Sequence, residues 1–210
     1  MGFLSKLFGK KEEVKISVSK PDDFDSPTRK LLKDATQKKK DGDLPGAIDC
    51  LKSAYKIMCE NPEWFSAESA CRLPMYLNEN KQSQEAWDTF RDIVKRSDRY
   101  SFSVVYNKMR LFLQRAGNPL EAVKYGVFSY LADMANGYLN NEKAKEYGGG
   151  PVQTLSAMPT EEIEKLLKKA QKPELSAEIK NIADKYFKQI PEVNFVELSN
   201  ELDAVFNKNK

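Results

Sequence analysis

Among its 210 residues the chain has no histidine at all. Imidazole is the commonest proton carrier near neutral pH, so triads and dyads that rely on it are excluded, and so are zinc sites of mixed cysteine and histidine. Cysteine is also scarce. Cys50, Cys59 and Cys71 form an odd set without paired spacing, which suits a reducing compartment and leaves a four-ligand zinc site incomplete. None of the three has a base within reach of the pattern: Cys50 and Cys71 fall inside helical stretches and Cys59 near a helix end. No apolar run approaches the roughly 18 residues that a membrane-spanning helix needs. The opening Met1-Gly2-Phe3-Leu4-Ser5-Lys6 lacks the apolar core of a secretory signal and carries Lys6 where myristoylation asks for Ser or Thr, so neither export by that route nor lipidation is expected.

Nucleotide motifs are missing too. Gly148-Gly149-Gly150-Pro151 would cradle a phosphate only between a strand and a helix opening with Lys-Ser or Lys-Thr, and neither flank is visible, so these residues read as a joint. The acidic pairs Glu161-Glu162 and Asp22-Asp23 read as a helix start and a solvated turn. The expectation is a protein that is not an enzyme, with no catalytic residue, no cofactor and no metal.

What is present is a folded-protein composition, 40% hydrophobic and 31% charged, on a chain long enough for one core or one elongated body with an appendage. The formal net charge of +3 is unevenly placed. Residues 1–20 hold five lysines against Glu12 and Glu13, while the remainder balances at 29 basic against 29 acidic. A nucleic-acid binder generally carries a basic body, because phosphate neutralisation supplies much of its affinity. Nucleic acid is therefore not an expected partner.

Residues 1–27 form a leader and linker. Phe3, Leu4, Leu7 and Phe8 gather on one face of a helix with Lys6, Lys10 and Lys11 around it, a pattern for weak contact with an anionic membrane surface through residues 1–11. Val14 to Ser19 alternates as a short strand would, and Pro21 to Pro27 breaks regular structure.

From residue 28 to 147 the period is helical, and it repeats. Asp41 to Ala54, Asn80 to Ile93 and Ala116 to Ser129 each lead from a polar turn into an alanine (Ala47, Ala86, Ala122), then a residue four later (Leu51, Phe90, Gly126) and one seven later (Ala54, Ile93, Ser129). The segments resemble tetratricopeptide repeats, whose units span about 34 residues; here the alanines stand 39 and 36 apart, so the loops are expected to be longer. Stacked hairpins of unrelated origin would give a similar pattern. Ala35 takes the family's small-residue place in the first unit, Pro74 in the second, where it should bend or shorten the helix, and Arg110 in the third. The resemblance implies an all-α, TPR-like α-solenoid of about three helical hairpins.

The same resemblance implies a concave groove lined by the first helix of each unit. Arg29, Lys33, Lys39 and Lys40, then Arg72 and Met75, then Lys108, Leu111 and Arg115 fall on it. With Glu68 and Glu79 as the acids, the groove is expected to be basic and to hold a protein or peptide segment of acidic character. The Lys and Asn arrangement by which chaperone-binding members clamp a terminal carboxylate is absent, since Leu32, Thr36 and Met75 stand in its places.

Residues 148–159 read as a linker, and 160–210 as three short amphipathic helices forming a C-terminal cap; an independent three-helix module is the other reading. Thr160 is expected to cap the first of them, Pro173 to open the second and Asn194 to cap the third. The expected function is that of a cytoplasmic interaction module or adaptor, held peripherally at a membrane if its leader binds one. The alternative is a membrane-associated structural protein that self-assembles through its helices, which an exposed Trp87 or an aromatic face on the second helices would favour, whereas a basic groove favours peptide capture.

Overall fold

The computed structural model describes residues 27–151 and 158–208, and among them there are helices and no strand. The leader residues Phe3, Leu4, Lys6, Leu7, Phe8, Lys10 and Lys11 and the alternating stretch from Val14 to Ser19 lie outside the described residues. Among the described residues no helix is long and apolar enough to cross a membrane.

Helix α1 (Pro27–Lys40) packs along α2 (Leu44–Glu60). A short α3 (Ala67–Ala70) and α4 (Arg72–Glu79) lead to α5 (Ser83–Arg96), with α4 packed on α5. The third pair is α6 (Phe102–Arg115) with the long α7 (Pro119–Glu146). After residue 158 come α8 (Thr160–Lys169), α9 (Ser176–Phe187) and α10 (Phe195–Asn207). The break between α3 and α4 has a local cause. Pro74 has no N–H to give the carbonyl four residues back, that of Ala70, and α3 stops at Ala70.

The three hairpin turns are built alike. Gly42, Lys81 and Gly117 take φ of 83°, 61° and 77°, and in each the next residue donates its N–H to the carbonyl five back: Asp43 to Lys38, Gln82 to Leu77 and Asn118 to Leu113, all at 2.9 Å. This is the left-handed helix ending that glycine favours. Lys81 adopts it without that advantage, a strain of roughly 1–2 kcal/mol. Asp43 and Asn118 then cap the following helices by accepting from the N–H groups of Gly46 and Glu121, and Pro45 and Pro119 stand in the first turns, where no N–H is needed.

Five residues beyond each left-handed turn stand Ala47, Ala86 and Ala122, all wholly buried. Around them the core is aromatic in the middle of the chain: Phe90 meets Phe112 edge-on at 5.5 Å, and Trp87 stacks on Phe112 at 5.7 Å. The first two pairs are tied by Tyr55, whose hydroxyl donates to Asp92 Oδ2 at 2.6 Å, while Arg96 Nε donates to the same oxygen at 2.8 Å. Partial burial works against the Asp92 carboxylate, but those two donors outweigh it and hold its pKa below the usual aspartate range.

The third pair exchanges sizes. Arg110, where the first pair has Ala35, is buried, and Gly126, where the other pairs have Leu51 and Phe90, makes room for it: a Cβ added at Gly126 would meet Arg110 Cδ at 3.4 Å. The guanidinium turns to Asn107 Oδ1, at 3.0 and 2.8 Å, and to Glu162 Oε1 on α8 at 2.5 Å.

The last three helices pack on α7 and on one another. On α7, Lys124 is 7% exposed. It pairs with Glu121 at 2.6 Å and with Asp203 of α10 at 2.9 Å. Tyr130 of α7 stacks on Phe187 of α9 at 6.2 Å, and Tyr186 donates to Glu201 across α9 and α10 at 2.9 Å. Two local expectations need correction. Thr160 is the first residue of α8, not its cap, and Pro159 in the cap position offers no side-chain acceptor. Pro173 opens a single 3-10 turn, Pro173–Leu175, after which α9 begins at Ser176. Asn194 does cap α10, accepting from Val196 and Glu197.

Candidate functional site

The face shared by α1, α3, α4 and α6 holds a cavity of about 540 Å³. Its elements reach it for simple reasons. Helix α4, which starts after the break at Cys71, packs on α6, and helical period then brings Arg72, Met75, Tyr76 and Glu79 to one side. From α6 come Lys108, Leu111 and Arg115, at spacings of three and four, and from the last turn of α1 comes Lys39.

Six of the nine residues expected to touch a partner line this cavity: Lys39, Arg72, Met75, Lys108, Leu111 and Arg115. Arg29, Lys33 and Lys40 do not line it. Lys33 and Lys40 are exposed on α1. Sequence reasoning missed Tyr76 and Ser69 in the lining. Tyr76 was legible from its place four residues after Arg72 on the same helix.

The cations in the cavity are not equivalent. Lys39 pairs with Glu79 at 2.6 Å and lies 4.0 Å from the centre of the Tyr76 ring. Arg72 donates to the carbonyl of Leu32 at 3.1 Å and to the Thr36 hydroxyl at 2.8 Å, fastening α4 to α1. Its partners are neutral, so its charge is not cancelled. Lys108 and Arg115 have no carboxylate within ion-pair distance among the described residues, and the only other acid in the lining is the exposed Glu68. The cavity thus holds four cations and two carboxylates, a smaller excess than the sequence count implied, because Arg29, Lys33 and Lys40 do not line it; the Lys39–Glu79 pair offsets one of the four that do.

At its base lies Cys71, 1% exposed. Burial pushes its thiol up to about 12 even though the positive charge of Lys108 pulls the other way, so the sulfur is protonated at neutral pH. Met75 and Leu111 are half-buried and supply apolar surface between the charges. The arrangement can orient a carboxylate and hold a neighbouring apolar side chain.

No family model, no curated protein and no solved structure matches this chain. The geometry carries the functional argument by itself.

Proposed function

We propose that the chain is a solenoid of tetratricopeptide-like hairpins that captures an acidic peptide segment of a partner protein in the cavity between α1, α4 and α6. The observation that carries this reading is the set of Arg72, Lys108 and Arg115, three cations without a carboxylate partner among the described residues, beside Met75 and Leu111. Charge-assisted hydrogen bonds to peptide carboxylates, with one or two apolar side chains between, would use every feature of that lining. The repeated turn geometry and the equivalent burial of Ala47, Ala86 and Ala122 support the repeat reading. The ties from Glu162 to Arg110 and from Asp203 to Lys124 support α8 to α10 as a cap on the last pair.

Capture is favoured over self-assembly by Trp87. Assembly through the second helices would present it outward, whereas it is half-buried, stacked on Phe112 and edge-on to Tyr125 at 5.7 Å.

The test uses a fluorescent peptide alternating Glu and Leu and a second in which Lys replaces Glu, read by anisotropy. The acidic peptide should bind, and the Lys108→Glu, Arg115→Glu double variant should weaken it at least tenfold, with affinity falling as salt rises. Equal binding of both peptides, or an unchanged affinity in the double variant, would remove the cavity from the account.

A further inference from the structure

A second recess, of about 410 Å³, is lined by α5, α6, α7 and α10 and shares no residue with the cavity above. Its wall is a cluster of rings. Tyr106 lies 5.3 Å from both Phe128 and Phe195, and Tyr125 lies 5.4 Å from Phe128. At the rim, Val196 in the first turn of α10 is 72% exposed, an aliphatic side chain left in solvent beside an apolar recess.

Two further observations bear on what belongs there. Tyr106 is 7% exposed as a whole residue, and neither its hydroxyl nor that of Tyr125 has a protein hydrogen-bond partner among the described residues. Neither oxygen is sealed from solvent, and both phenols line a recess in which an outside acceptor can reach them. The lining also carries two cations, Arg91 and Lys95, and no carboxylate. Arg91 reaches Asp88 on its own helix, whereas Lys95 has no carboxylate within ion-pair distance among the described residues. An occupant with an apolar face and acidic or carbonyl acceptors on its flank matches all of this.

The other occupants match less well. The leader of this chain brings Lys6, Lys10 and Lys11 beside its Phe and Leu residues, so its charge has the sign of the rim. A second copy joined through the same face would bring the Arg91 and Lys95 of both copies into one interface whose lining carries no carboxylate to offset them.

We propose that this recess is a second docking surface, which takes a short amphipathic segment of a partner protein, apolar on one face and acidic on its flank. Apolar side chains lie on Tyr106, Tyr125 and Phe128 beside Val196, acceptors meet the two phenol hydroxyls, and a carboxylate meets Lys95. This goes beyond capture in the first cavity and does not depend on it.

The experiment keeps the two surfaces apart by using the full chain with Lys108→Glu and Arg115→Glu already in place. The probe is a labelled amphipathic helical peptide with Leu at positions i, i+3, i+4 and i+7 and Glu on both flanks, read by anisotropy. It should bind in that background, and adding Val196→Asp should weaken it at least tenfold; Lys95→Glu should weaken it several-fold. Val196 is exposed and Asp suits a first helical turn, so folding is preserved, as circular dichroism will show. No binding of the probe in that background overturns the proposal, and so does equal binding of a Lys-flanked version. Tighter binding of a peptide of residues 1–20 would give the recess to the leader instead. A concentration-dependent dimer by sedimentation that Val196→Asp dissolves would give it to a second copy. Either of these last results also overturns the proposal.

Discussion

Replacing Gly126 tests the size exchange in the third helix pair, and with it the proposed equivalence of the three hairpins. An alanine there places its Cβ 3.4 Å from Arg110 Cδ and 4.0 Å from Ile163 Cγ1, ordinary contact distances. Since glycine within a helix costs about 0.5–1 kcal/mol relative to alanine, Gly126→Ala should stabilise the protein by up to that amount. Leucine, the residue that the first hairpin carries at the same place, extends three further carbons into the space of the Arg110 stem. Overpacking of this kind costs about 1–3 kcal/mol. Displacing Arg110 also breaks its contact with Glu162, a pair whose partners are 10% and 51% exposed, so only a fraction of the 3–5 kcal/mol of a fully buried pair is at stake. Gly126→Leu should therefore destabilise by about 2–4 kcal/mol. Arg110→Ala alone should be destabilising as well, because it leaves a gap and strands Glu162. Together the two substitutions restore the small-and-large order of the first hairpin, and their effects should fall short of additivity by at least about 1 kcal/mol. Urea unfolding followed by far-UV circular dichroism measures all four proteins. If Gly126→Leu is as well tolerated as Gly126→Ala, or if the double variant is strictly additive, the reasoning from Arg110 to Gly126 is wrong.

Lys81→Gly should stabilise by about 0.5–1 kcal/mol, since glycine takes the left-handed conformation at φ 61° without steric strain, while Gly42→Ala and Gly117→Ala should each destabilise by about 1 kcal/mol; thermal unfolding reads the three together. The depressed pKa of Asp92 stabilises the fold above the ordinary aspartate value near 4, and that contribution is lost as pH falls through the folded value. Asp92→Asn should accordingly flatten the acid limb of a stability profile without changing the profile's shape above neutrality. The leader, if it meets anionic membranes, should carry the intact protein upward in liposome flotation while a chain starting at Asp22 stays below; equal behaviour of the two rejects membrane contact through Phe3, Leu4, Leu7 and Phe8.

Much of the backbone was decided locally. Gly42 and Gly117 fix two turns because glycine alone adopts positive φ at little cost, and Asp43, Asn118 and Asn194 cap the helices that follow because each side chain reaches N–H groups only two or three residues ahead. The small residues Ala47, Ala86 and Ala122 follow at constant spacing, so the hairpins and their buried seams were legible in the sequence. The charge of the cavity was legible only in part. Lys39 and Glu79 lie 40 residues apart, and only the packing of α1 beside α4 converts two solvated charges into a pair; the same packing turns Arg72 into a fastener for Leu32 and Thr36.

The ring-lined recess was beyond sequence reasoning altogether. It takes residues from four helices spread over more than a hundred positions, and no spacing rule relates Lys95 to Tyr125 or Val196. Periodicity, turn residues and caps act over a few residues and therefore settle which segments are helices and which of their faces turn inward. Pairing between distant helices follows from how those faces fit, which is a property of shape and volume rather than of order along the chain. That is why the sequence could name the hairpins, while only the folded molecule could decide which cations lack partners and where an apolar surface stays open.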